Sequence, residues 1–123
     1  MPSTRLYKTL QVSGDIAPYR IITLGVDRLA TQATAATEAL IGTSDELGKQ
    51  TNGMVDVAMS DIPEVESGAA IAVGDPLTSD AQGRAIKATA TGQRIIGFAF
   101  AAASGDGEII DYIYAPGLMA VSA

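Results

Sequence analysis

Residues 68–117 read GAAIAVGDPLTSDAQGRAIKATATGQRIIGFAFAAASGDGEIIDYIYAPG, and the reading of this stretch decides the fold. It divides into short extended runs separated by turns. Residues 71–73 are apolar, and Gly74-Asp75-Pro76 breaks them, because Pro76 fixes its own φ and drives Asp75 out of the helical region. Leu77 to Ser79 resumes an extended run. Asp80-Ala81-Gln82-Gly83 has Asp first and Gly fourth, the composition of a type I turn. Arg84 to Thr89 alternates. Arg94 to Ala101 carries Ile95, Ile96, Phe98 and Phe100, and the two phenylalanines share one strand face, which is expected to be core. Ser104-Gly105-Asp106-Gly107 is a turn. Glu108 to Tyr114 is a last strand, and Pro116-Gly117 is expected to stop it.

Working outward, Leu29 to Ile41 (LATQATAATEALI) invites a helix on Ala content alone. An internal comparison points elsewhere. Ala33 to Gly42 (ATAATEALIG) aligns with Ala88 to Gly97 (ATATGQRIIG) at a constant offset of 55, with five of ten positions identical. The second copy has Gly92 in its middle and strong strand residues after it, so a shared conformation is strand, short bend, strand. With a one-residue slip, the match extends to Gly53-Met54-Val55-Asp56-Val57 against Gly107-Glu108-Ile109-Ile110-Asp111. Two copies are too few for a solenoid but fit a small barrel or sandwich of two related halves. Turn signals every eight to twelve residues argue for an all-β chain.

Elsewhere, Arg20 to Val26 is rich in β-branched residues and reads as a strand. Asn52-Gly53 is a hairpin signal, since both residues tolerate positive φ. Val55 and Val57 share a face on the strand that follows. Glu64-Val65-Glu66 is a short strand, with Asp45 and Asp56 contributing to an acidic, solvated surface. Residues 1–17 lack periodicity and read as an extended N-terminal arm bearing Tyr7, Leu10 and Val12; it is either a frayed terminus or a segment that lies along a partner. Residues 18–117 form a single β-rich domain and 118–123 a tail.

Composition narrows the function. The chain has 123 residues, one domain's worth, and only 5% aromatic residues, so its core rests on Ile, Val, Leu and Ala. Fourteen acidic residues outnumber eight basic ones, a net charge of −6. That balance opposes nucleic-acid binding and docking on anionic lipid. The longest apolar run, residues 95–103, is far short of the roughly 20 residues of a membrane-spanning helix. No secretory leader is evident. The absence of Cys removes disulfides and thiolate metal sites and fits synthesis and assembly in a reducing cytosol.

The chain has no His, which removes Ser-His-Asp and Cys-His chemistry and the usual base near neutral pH. Lys8, Lys49 and Lys87 sit in no nucleophile motif. Asp75, Asp80 and Asp106 lack the dense oxygen spacing of a calcium loop and read as turn residues. Gly74-Asp75-Pro76 and Gly105-Asp106-Gly107 do not precede a helix, as a phosphate loop requires. The sequence therefore predicts no catalytic residue, no cofactor and no metal. Candidate contact residues are the apolar points of the arm (Tyr7, Leu10, Val12), Tyr19 at the domain entry, and Tyr112 with Tyr114, which share a face with polar tips and suit either core edge or subunit interface.

Residues 65–85 (VESGAAIAVGDPLTSDAQGRA), together with Ala33 to Gly42, Arg94-Ile95-Ile96-Gly97 and Gly107-Glu108-Ile109-Ile110, resemble the capsid cement, or head decoration, proteins of tailed bacteriophages. The likeness covers roughly residues 19–117. Its central pattern also resembles β-clip modules, so the resemblance implies a small β-barrel or sandwich of β-clip or β-tulip type. It implies a structural virion protein on the outer capsid surface, bound to the major capsid protein in many copies, commonly as homotrimers, and bridging subunits after head expansion. The alternative is a stand-alone β-barrel that binds a glycan or other host-surface ligand, against which the absence of Trp counts.

Overall fold

The computed structural model describes residues 7–25 and 27–120, and every described regular element is a strand. The first half contains β1 (Tyr7–Gln11), β2 (Ile21–Leu24), β3 (Ala30–Gln32), β4 (Leu40–Ser44) and β5 (Met54–Ala58). The second contains β6 (Glu64–Glu66), β7 (Pro76–Ser79), β8 (Ala85–Lys87), β9 (Arg94–Ala99) and β10 (Ile109–Leu118). They form two five-stranded antiparallel sheets, ordered β1-β5-β4-β2-β3 and β6-β10-β9-β7-β8. The fold is an all-β sandwich; of the two architectures the sequence allowed, the closed barrel is not the one formed.

The two orders are the same order. Shifting the first sheet by 55 residues reproduces the register of the second: Gln11↔Met54 becomes Glu66↔Ile109, Ile22↔Gln32 becomes Leu77↔Lys87, and Thr43↔Ala58 becomes Phe98↔Ile113. Backbone detail repeats too. Tyr19 and Gly74 both have positive φ, as do Arg28 and Gly83. The amide of Gly25 donates to Leu29 O as that of Asp80 does to Arg84 O. The slip inferred for the last strand holds only at the turn, where Gly53 and Gly107 share φ near 80°. In the strands the offset returns to 55, with Glu108 as the extra residue. Burial requires this: Val55 and Val57 then match the buried Ile110 and Tyr112, whereas an offset of 54 would match Val55 to the exposed Ile109.

The Ala-rich segments are strand, bend, strand, as the repeat predicts, and the bend has a cause. Glu38 Oε1 accepts the amides of Thr34 and Ala35 at 2.7 and 3.1 Å. Gln93 Oε1 accepts those of Thr89 and Ala90 at 2.7 and 3.0 Å. A side-chain acceptor four residues on thus replaces the carbonyls a helix would supply. Ser104 and Gly105 use Glu108 in the same way.

Several expectations change. Residues 7–11, read as part of an arm, are an edge strand of the first sheet, in the position that β6 holds in the second. Residues 71–73 are not a strand; Ile71 makes a single bridge to Ala103. Pro116-Gly117 does not stop the last strand, because a register shift between Tyr114 and Gly117 carries β10 past it to Leu118. At an edge-like bulge the missing amide of Pro costs no ladder bond. Phe98 and Phe100 are not core: they are 38% and 53% exposed.

Gly42 and its repeat partner Gly97 lie where a neighbouring strand's backbone passes close. A Cβ on Gly42 would sit 2.3 Å from Ala58 O and 2.9 Å from Val57 Cγ1. Gly42→Ala is therefore expected to destabilise the protein by about 1–3 kcal/mol, the usual cost of overpacking. A urea midpoint equal to the parent's would show that β5 yields freely.

Candidate functional site

Among the described residues, no group of three or more acidic side chains gathers into a metal-holding cluster. The aspartates that invite a metal reading each have a local task. Asp80 Oδ1 accepts the amides of Gln82 and Arg84 at 2.8 and 2.9 Å, and its Oδ2 meets Arg84 Nε at 3.2 Å. Asp75 Oδ2 accepts the Ala72 amide at 2.9 Å. Asp106 lies 3.6 Å from the guanidinium of Arg84. Asp75 and Asp80 close turns, as the sequence indicates, and Asp106 pairs with Arg84 across from another loop. The candidate site is therefore a surface, and it is defined by how the halves meet.

Register partners share a face of an antiparallel sheet. Ile21, Thr43 and Ala58 thus form one row across β2, β4 and β5. All three are buried, although the row lies on the opposite face of its sheet from Val55 and Val57. It is covered by the second half. Ile21 joins Val65, Leu77, Ile96, Ile110 and Tyr112 in one core cluster, and β4 packs against β6, β9 and β10. At the centre, Thr43 Oγ1 and the Tyr112 hydroxyl are 3.0 Å apart in a buried hydrogen bond. Beside it the Tyr114 hydroxyl donates to Ile41 O at 2.9 Å, and burial raises the Tyr114 phenol above its ordinary pKa. Around the margin, Ile21 N–H donates to Gly83 O, Glu66 N–H to Tyr19 O and Arg94 N–H to Ala36 O. Arg20 reaches Gln82 O and Glu66 from the first half.

This geometry places the residues singled out from the sequence. Tyr112 is in the core, and its hydroxyl is engaged across the seam. Tyr114 is half-buried at the seam's margin. Tyr19 is half-buried in a positive-φ turn whose carbonyl holds Glu66. Leu10 and Val12 pack partly buried on the first half's own cluster of Ile16, Ile22, Ala30, Val55 and Val57. Tyr7 opens β1; its side chain lies outside the described residues. The five whose side chains are described do not form one patch. The apolar surface that does stand open is on β9 and β10: Phe98 and its register partner Ile113, 44% exposed, with Phe100 and Ile109 nearby, 53% and 43% exposed. Alternation predicts that Phe98 and Phe100 share a face, but not that the face is the outer one.

A family model described as phage cement protein matches residues 4–113. The chain belongs to the phage cement protein family. Membership makes it a structural protein of the phage capsid. The chain is also similar in fold to the crystal structure of the N base of the head fiber gp8.5 of bacteriophage phi29. The TM-score is 0.61 at 21% identity, over 91% of this chain and 95% of that one. No curated protein matches the chain.

Two outcomes follow for this cement protein. Tyr112→Phe leaves a buried Thr43 hydroxyl without its tyrosine partner and is expected to cost about 1–3 kcal/mol. Adding Thr43→Val removes the second polar group and is expected to return part of that loss; a double variant less stable than the sum of the singles contradicts the pairing. Separately, hydrogen bonds from the Ser104 hydroxyl, then from the Ser104 and Gly105 amides, lower the Glu108 pKa below its usual 4.5. A depressed carboxylate contributes stability above its unfolded pKa and loses it as pH falls through the folded value. Glu108→Gln is thus expected to flatten the acid limb of the stability–pH curve below about pH 4.5; an unchanged acid limb in pH-resolved melts excludes this role.

Proposed function

We propose that this protein binds the outer surface of an expanded phage head and bridges neighbouring major capsid subunits, as a homotrimer, so that the shell resists the pressure of packaged DNA. The observation that carries this reading is the extent of the family match, which spans residues 4–113, the body of both halves rather than one motif. The head-fiber base of phi29 lends support, because that protein of the same fold is itself a head component.

The physical form suits the task. Two sheets share a hydrogen-bonded seam, and the chain offers many turn-closed loops for contact. Bridging makes the second contact of each copy effectively intramolecular, so individually weak sites give strong retention. Residues 7–11 are tied into a sheet and are not a free strap to the capsid.

The decisive experiment is co-sedimentation of the purified protein with expanded and unexpanded heads that lack it, with occupancy counted per particle. Saturable binding to expanded heads, at a fixed ratio to the major capsid subunit, is expected. Binding to neither form overturns the reading. Equal binding to both removes the dependence on expansion.

A further inference from the structure

Two stacked copies of one unit leave one face of each kind open at the ends of the stack. Here both open faces can be named. Inside the chain, the first half offers the row Ile21, Thr43 and Ala58, and the second half receives it on a surface that includes Val65, Ile96 and Tyr112, with Tyr114 at its edge. A shift of 55 residues gives the second half's own offering row: Pro76, Phe98 and Ile113, held in the same register. Where Thr43 and Ala58 are buried, Phe98 and Ile113 are 38% and 44% exposed. The same shift in reverse gives the first half's equivalent positions: Leu10, Ile41 and Met59, set around Val57, which the first half's own residues already bury. Leu10, Ile41 and Met59 are only partly buried there, whereas Val65 and Ile96 are fully buried under the first half.

We propose that a second copy of this chain docks head to tail, the Phe98–Ile113 row of one copy seated on the Leu10–Ile41–Met59 surface of the next. Two features favour this occupant. The row already serves as the contact between two copies of this fold unit within the chain. Charge agrees in sign, since exposed Lys8 is register-paired with Val57 on the receiving face and Asp111 lies two residues from Ile113 on the offering face. The contact joins unlike faces, so it closes into a ring or continues as a file. It does not depend on capsid binding.

The test is sedimentation velocity of the full chain over a wide concentration range. The parent is expected to self-associate. Phe98→Asp and Met59→Asp are each expected to weaken association by about tenfold or more, as loss of a central apolar contact does. Phe98→Asp keeps the receiving surface and Met59→Asp keeps the row, so mixing the two is expected to restore a one-to-one pair. Circular dichroism melts confirm folding, with Ile113→Asp and Leu10→Asp as second choices for either face. A parent that stays monomeric throughout, variants that associate like the parent, or a mixture that yields no pair overturns the proposal. If Phe98→Asp leaves association intact but abolishes head binding, the row belongs to a capsid subunit; this proposal then falls and the cement reading stands.

Discussion

The structure depends on a buried seam in which the outer face of one sheet becomes the lid of the other. An isolated five-stranded sheet of this length has two faces and aliphatic residues enough for one. The first sheet closes one side over Val55 and Val57 and still presents Ile21, Thr43 and Ala58 on the other. Burying that second row against the second half removes apolar surface from water on both sides at once. The Thr43–Tyr112 hydrogen bond then fixes register, because a slip of one residue would strand both hydroxyls in an apolar interior. Backbone bonds from Ile21, Glu66 and Arg94 hold the margin, so the halves cannot rock without breaking main-chain contacts.

Most of the architecture was legible in the sequence, and the repeat was the reason. Composition alone favours a helix at Leu29 to Ile41; comparison with Ala88 to Gly97 replaces it by strand, bend, strand, which is what forms. The turns at Asn52-Gly53 and Asp80 to Gly83 were legible because their chemistry is local. Local chemistry does not settle what depends on the partner strand. Pro116-Gly117 resembles a terminator, but a bulge accommodates it. β1 looks featureless over Tyr7 to Gln11 because its apolar points are few, and it is a strand because β5 stands ready to pair with it. Of the candidate contact residues, Tyr112 turned inward, where the opposing Thr43 leaves room for an aromatic ring.

The face that a strand residue occupies is the least legible feature, and Phe98 shows why. Alternation fixes which residues share a face but not which face is buried. In a duplicated fold that choice differs between copies at equivalent positions: Thr43 is interior and Phe98 is not, although their registers are identical. Hydrophobicity points the wrong way here, since the exposed member of the pair is the larger and more apolar. In a monomer such an inversion opposes stability, and an exposed aromatic row paired with an aliphatic neighbour is the composition of a contact surface.

Duplication also sets a direction. Two identical halves related by a two-fold axis would bury the same row on each side and leave a symmetric object. These halves instead meet with the Thr43 face of the first on the Tyr112 face of the second, so the molecule has unlike ends. A unit with unlike ends can hold one neighbour through its own second half and another through its first, and a mechanical bridge needs to grip on both sides. The side chains have diverged in step with this polarity: small at Thr43 and Ala58, where the seam is closed by Tyr112, and large at Phe98 and Ile113, where the chain itself supplies no lid.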